Sequence, residues 1–221
     1  QNMLRDAELK ALQSQINPHF LFNTLNCIAQ TAMFEDAAET NSLIITVSNM
    51  LRYNLRRLET PVTLGEEITN LNRYICIQKL RYGDRIHFET DIDEDTLSVQ
   101  IPCLTIQPIV ENAVIHGFES SECGGTIRVD AHRTSAGELL ICVEDDGIGM
   151  DAQTLSELQR TGETTKNRGG HSTGIGIKNV INRLQLFYGK NIFEITSVAG
   201  HGTVVRLRIP ADQLQAPREE V

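Results

Sequence analysis

The hydrophobic period of this chain changes once, at Pro61, and that change decides what it can fold into. Ahead of the proline, Leu4, Leu9, Leu12 and Ile16 recur at steps of three to five residues. Leu43, Val47, Met50, Leu51, Leu55 and Leu58 make a second broad stripe. Both have the period of amphipathic helices, and the polar stretch Glu35–Thr40 separates them. Residues 1–62 therefore read as a helical hairpin. It carries more apolar surface than two helices bury between them, so a second copy of the chain is expected against it, giving a homodimer. The first stripe is under way at residue 1 with no cap before it, which implies a piece of something longer.

After Pro61 the pattern is different. Thr63-Leu-Gly-Glu66 fits a capping box, in which a threonine hydroxyl and a glutamate three residues on satisfy free helix-end amides. The helix it opens runs to Tyr82 and stops at Gly83. Beyond it HFETDI (87–92), TIRVDAHR (126–133), ELLICVED (138–145), NIFEITS (191–197) and TVVRLRI (203–209) read as strands rich in β-branched residues. Helical stretches fall near 105–116, 151–160 and 174–188. The strands come mostly as neighbouring pairs without crossover helices, so the fold class is α+β with a mixed or antiparallel sheet. The expected organisation is a hairpin over 1–62, an α/β domain over 63–212 and a polar tail over 213–221.

Composition excludes several functions. With Lys and Arg at 20 against Asp and Glu at 29, the net charge is −9, and there is no basic run. Direct nucleic-acid binding through phosphate contacts is not expected of such a chain. An anionic ligand must be held locally, by backbone dipoles or a metal ion. No apolar run approaches the ~20 residues that cross a bilayer. The five cysteines, Cys27, Cys76, Cys103, Cys123 and Cys142, form no C-x-x-C pair, and Cys27, Cys76 and Cys142 lie in apolar runs. Buried, reduced thiols of a cytosolic protein are the expectation.

Three glycine pairs carry the chemistry: Gly147-Ile-Gly149, Gly174-Ile-Gly176 and Gly200-His-Gly202. The first, with Ala152, imitates a dinucleotide fingerprint. However, Asp145 and Asp146 stand where a pyrophosphate would lie, and the surrounding βαβ repeat is missing. An aspartate ending a strand instead suits an adenine amino group, with the glycines giving room for the flat ring. Gly174 and Gly176 open the helix IKNVINRL, whose free amides suit phosphates. On the apolar helix IQPIVENAVIHG, Asn112 offers the kind of oxygen that Mg²⁺ accepts while keeping waters and phosphate oxygens. Residues 151–173, rich in Gly, Thr and Ser, are long and polar enough for a lid.

Glu111-Asn112, Asp145-x-Gly147-x-Gly149, Gly174-x-Gly176 and Gly200-x-Gly202-Thr203 resemble, in order and spacing, the N, G1, G2 and final glycine-threonine motifs of the Bergerat (GHKL) ATP-binding fold. Gln15-Ile-Asn-Pro-His19-Phe-Leu-Phe-Asn23 and QPIVENAVIHG resemble the LytS/YesM-type sensor histidine kinases within it, over roughly residues 9–210. The resemblance implies ATP and Mg²⁺ as cofactors and His19 as phosphoacceptor. A neutral imidazole is a competent nucleophile near pH 7. It also implies adenine on Asp145 supported by Thr203, Mg²⁺ on Asn112, and Gly174, Ile175 and Gly176 at the nucleotide, letting a lid close over the phosphates. The partner implied is a response-regulator receiver domain. The implied setting is the cytoplasmic part of a bacterial inner- or plasma-membrane sensor whose membrane segments lie upstream.

The chain departs from the family pattern in places. Phe20 follows His19 where many relatives carry an acid, which leaves Glu111 as candidate base. Ile115 stands where a phosphate-contacting lysine is common, with Lys178 or Arg168 as substitutes. Pro108 replaces the water-activating glutamate of GHKL ATPases, which favours phosphoryl transfer over hydrolysis. Asn23, one turn after His19, either orients a water for phosphatase action or is a polar-face residue. His116 either contacts phosphate or ends its helix before Gly117. Phe20, Leu21 and Phe22 read as hairpin core, and Pro18 as a bend. The alternatives are a degenerate nucleotide-binding scaffold, a GHKL ATPase or a serine kinase.

Overall fold

The structure, a computed structural model, describes residues 18–56, 60–119, 124–159 and 175–214. The chain divides into two compact units, Gln1–Arg56 and Arg57–Val221. In the first, α1 (Pro18–Phe34) and α2 (Ala38–Arg56) form the hairpin. Ala29, Ala32 and Ser48 are buried in it, and the Asn41 amide donates to the Ala29 carbonyl at 2.6 Å, tying α2 to α1 beside the turn. The described part of α1 begins at Pro18. The bend expected ahead of it lies outside the described residues.

Two expectations for this unit need correcting. Phe20 is 69% exposed rather than core, while Leu21 and Phe22 are half-buried and the Arg52 guanidinium lies 5.1 Å from the Phe22 ring centroid. Cys27, expected buried, is also exposed. The reason is helical geometry: at about 100° per residue, Phe20 and Cys27 fall opposite the Ala29–Ala32 face that meets α2. An apolar neighbourhood in sequence does not make an inward-facing position.

In the second unit, β1 (Pro61–Thr63) pairs antiparallel with β3 (Gln100–Pro102), a small sheet too short for its period to show in the sequence. Between them α3 (Leu64–Tyr82) starts with the capping box intact: the Glu66 N–H donates to the Thr63 hydroxyl at 3.2 Å and the Thr63 N–H to the Glu66 carboxylate at 3.0 Å. Its buried stripe includes Leu64, Leu71, Tyr74 and Ile75. Cys76 points away from that stripe and is exposed, again against expectation.

The main sheet has five strands in the order β2-β4-β5-β7-β6. These are β2 (Ile86–Ile92), β4 (Gly125–Arg133), β5 (Leu139–Asp145), β6 (Phe193–Val198) and β7 (Gly202–Ile209). β2 runs parallel to β4 and every other pairing is antiparallel, so the sheet is mixed. Its alternation is clean. Ile127, Val129 and Ala131 on β4, Leu139, Ile141 and Val143 on β5, and Val205, Leu207 and Ile209 on β7 are buried. The helices supply the rest of the core: Ile109 and Val110 from α4 (Gln107–Asn112), Leu158 from α5 (Ala152–Gln159), and Ile177, Val180 and Leu184 from α6 (Ile175–Tyr188). α4 continues as a π-helical turn, Ala113–Phe118. Among the described residues, no helix is long and apolar enough to cross a membrane.

The cap makes a direct prediction. Thr63→Ala leaves the first-turn amides of α3 without their side-chain acceptor and lowers stability by about 1 kcal/mol in urea unfolding. Thr63→Ser should recover most of that loss.

Candidate functional site

The alternation that builds the core places one carboxylate where an aliphatic side chain belongs. Leu139, Ile141 and Val143 face inward, and the next inward position on β5 is Asp145, only 7% exposed. Burial pushes its carboxyl up from the ordinary value near 3.8 to about 6. Backbone N–H donors from Gly147 and Thr203 pull the other way. The Gly147 N–H donates to Oδ1 at 3.0 Å.

Backbone approaches Asp145 so closely that side chains are excluded. A Cβ on Gly147 would sit 2.5 Å from the Gly117 Cα and 2.9 Å from Asp145 Oδ1. A Cβ on Gly202, which holds φ at 88°, would collide with the Asp145 carbonyl oxygen. The glycine loop is tied down as well: the Ile148 N–H donates to the Gly117 carbonyl at 3.2 Å, and the Gly200 N–H to the Ile148 carbonyl at 2.7 Å. Thr203 pairs directly opposite Asp145 in the β5–β7 register. Its hydroxyl lies 3.0 Å from that of Ser197, which also accepts the Met150 N–H at 2.8 Å. Ser197 carries no motif; its only sequence signal is a polar residue on a strand that ends beside two glycines.

Asp145 and Thr203 lie in the wall of a cavity of about 350 Å³, within the usual range for small-ligand sites. The structure brings Asn112, His116, Gly149 and Lys178 to the same cavity. Gly147 backs Asp145 from behind. Val143, Ile148, Leu158 and Val205 supply apolar wall, and Asp151 and Glu157 add carboxylates. The Thr154 N–H donates to Asp151 at 2.7 Å and holds that acid below its ordinary range.

Other candidates are not among the residues that line the cavity. Glu111 is adjacent to Asn112 but does not line it: Gln107 donates to its carboxylate at 2.6 Å, one turn back along α4. Its charge also helps raise the Tyr74 hydroxyl, behind the larger effect of burial, which places it toward α3. Ile115 is 44% exposed. His19 and Asn23 lie on α1 in the other unit, both exposed, with Asn23 Nδ2 3.2 Å from His19 Nδ1. Gly176 is half-buried at the start of α6, where an added Cβ would stand 3.8 Å from Asn112 Nδ2. Gly174, Arg168, His171 and Cys123 fall outside the described residues, as does the side chain of Ile175. The expected lid begins as helix α5; the rest of it is not described.

The donor set bears on metal. Among the described residues no three His, Cys, Asp or Glu side chains cluster as a metal site. Asn112 turns its Nδ2 to the Pro108 carbonyl at 3.2 Å, which leaves the amide oxygen for a ligand. One neutral oxygen beside a cavity suits a Mg²⁺ ion that arrives with phosphate and keeps its waters.

Comparison with known proteins agrees with this geometry. The family model described as "Histidine kinase-, DNA gyrase B-, and HSP90-like ATPase" matches residues 77–213, and that described as "Histidine kinase" matches residues 7–86. The chain belongs to the histidine kinase family. Among its relatives, "Sensor histidine kinase YesM" of Bacillus subtilis is 35% identical over 95% of this chain and 34% of its own length. "Sensor protein LytS" of Staphylococcus saprophyticus is 31% identical over 99% of this chain and 36% of its own. The chain thus spans about a third of the length of these two relatives. The fold is shared with the catalytic domain of the histidine kinase ThkA, at a TM-score of 0.50 and 18% identity, over 69% of this chain and 97% of that one. The ATP-binding fold of the family is therefore present, as a mixed sheet under a helical layer.

The raised carboxyl sets a pH dependence. A folded-state value of about 6 against an ordinary 3.8 means that Asp145 favours folding at low pH and loses that contribution as pH rises through about 6. Asp145→Asn removes the dependence. Between pH 4.5 and 7.5 the stability of the variant relative to the parent should rise by about 2 kcal/mol, read by urea unfolding at both pH values.

Proposed function

We propose that this chain is the dimerisation and catalytic region of a two-component sensor histidine kinase. It phosphorylates His19 from ATP and passes the phosphoryl group to an aspartate of a response-regulator receiver domain. The observation that carries the reading is the buried Asp145 carboxylate in the wall of the cavity. Asn112, His116 and Lys178 lie on that cavity, and His19 is exposed on the hairpin.

Ionised Asp145 accepts a hydrogen bond from the adenine amino group while the glycines leave room for the ring. Thr203 and Ser197 hold that end of the sheet. Lys178 and His116 meet phosphate oxygens. Mg²⁺, held by Asn112 and the phosphates, would neutralise charge developing during transfer. The cavity needs that help, since Lys178 shares its lining with Asp145, Asp151 and Glu157. In the transfer, a lone pair on an imidazole nitrogen of His19 attacks the γ-phosphorus. The bond to the β,γ-bridging oxygen breaks, ADP leaves with its electron pair, and the ring N–H proton passes to a base. The Glu111 carboxylate, which accepts from Gln107, is the candidate acceptor. The Asn23 amide contacts the His19 ring and orients it. Exposed Phe20, Ile28, Met33, Phe34, Ile45 and Leu55 give the hairpin an apolar surface that fits a second copy. In this reading the chain is the cytoplasmic part of a bacterial membrane sensor.

Incubation with γ-labelled ATP and Mg²⁺ tests the reading. It predicts acid-labile, alkali-stable label that is lost in His19→Gln. Acid-stable label, or label unchanged in that variant, contradicts it, and nucleotide binding without label points to a regulatory scaffold. ATP affinity should also follow the ionisation of Asp145, falling about tenfold between pH 7 and pH 5 by calorimetry, because a carboxyl with a value of about 6 is mostly protonated at the lower pH.

A further inference from the structure

The turn that launches α4 is held from both sides by charged groups outside the cavity. Leu104, at its centre, takes φ of 56°, a left-handed conformation that leucine adopts only when its surroundings enforce it. One enforcing group is Glu67 on α3, 1% exposed. Its carboxylate accepts three successive backbone N–H groups: Leu104 at 2.7 Å, Thr105 at 2.9 Å and Ile106 at 3.0 Å. The other is Arg183 on α6, whose guanidinium donates to the carbonyls of Cys103 and, at 3.1 Å, Leu104. The acid takes the donors of the turn and the base takes its acceptors. α4 has no side-chain cap of its own, and this grip, together with the Asn70 amide that donates to Gln107, fixes its start.

What the grip controls follows from the helix it starts. Asn112 is the last residue of α4, less than two turns from the clamped segment, and a helix that short transmits a shift at its start to its end. α6 holds the turn ahead of α4 through Arg183 and packs along α4 itself, with Gly176 near Asn112 and Pro108. α4 and α6 border the Asn112–Lys178 side of the cavity. The Asp145–Thr203 side is built by β5 and β7, and the helix reaches it only past Asn112, where the Ile148 N–H donates to the Gly117 carbonyl.

We propose that Glu67 and Arg183 are positioning residues that set the register of α4 against α6, and so the placement of Asn112 at the metal–phosphate end of the nucleotide. The inference rests on the ATP-binding reading above and adds a division within that site. The clamp governs first how the phosphates and their cation are held, and reaches adenine recognition only through the turn beyond Asn112. Charge and fork geometry both matter. Arg183→Lys keeps the charge but cannot span two carbonyls as a guanidinium does. Glu67→Gln turns an N–H donor toward backbone N–H groups.

Calorimetry on the full chain separates the two ends of the ligand, with adenosine in metal-free buffer as one probe and ATP with Mg²⁺ as the other. Each variant is expected to bind Mg–ATP about tenfold more weakly while its adenosine affinity stays within about twofold of the parent. A general loss of structure would weaken both ligands together. Equal loss on both, loss confined to adenosine, or no loss on either overturns the proposal. Should Glu67→Gln fail to fold, Arg183→Lys carries the same comparison alone. A parent chain that binds neither ligand overturns the ATP-binding reading itself, and that failure is visible before any variant is made.

Discussion

Burying Asp145 at the end of a row of aliphatic side chains is the constraint around which this end of the sheet is built. Burial works against the ionised carboxylate, and the neighbourhood answers with backbone rather than side chains. N–H groups of Gly147 and Thr203 point at it, and the glycines at 117, 147 and 202 let the backbone close around it without a Cβ in the way. The balance leaves the carboxyl at about 6, ionised at neutral pH yet costly to keep so. A ligand that donates a hydrogen bond to it relieves that cost, so the same residue that weakens the empty fold favours the occupied one.

The remaining architecture divides the labour of holding a long, unevenly charged ligand. The end of the sheet offers a polar carboxylate, hydroxyls and apolar wall, suited to a flat base. The helix layer offers Asn112, His116 and Lys178, suited to the charged tail. Glu111 and Asn112 are neighbours in sequence yet separate about 100° around α4. One turns toward Gln107 and α3, the other to the cavity.

Much of this was legible in the residues. The period change at Pro61, the Thr63–Glu66 box and the stop at Gly83 each have a local cause, and each expected strand appears within two residues of its expected start. Asp145 was readable because an acid ended an alternating strand just before two glycines. What escaped depends on partners distant in sequence. β1 and β3 are three residues long and exist only as a pair. The role of Glu67 requires knowing that the 104–106 amides converge on it, although an acid in the Leu64–Leu71–Ile75 stripe was a signal of a satisfied buried charge. The outward turn of Phe20, Cys27 and Cys76 followed from helix phase, which a local run of apolar letters does not contain.

Asp145 is also where the account is most exposed to refutation, because a carboxylate that accepts from the adenine amino group meets an acceptor, O6, in guanine. Calorimetric titration of the chain with ATP and with GTP, both with Mg²⁺ at pH 7.5, measures that difference directly. The account predicts ATP bound about a hundredfold more tightly, the scale of roughly 2.7 kcal/mol expected when a buried charged acceptor loses its donor. Equal affinity for the two nucleotides, or tighter binding of GTP, would contradict it.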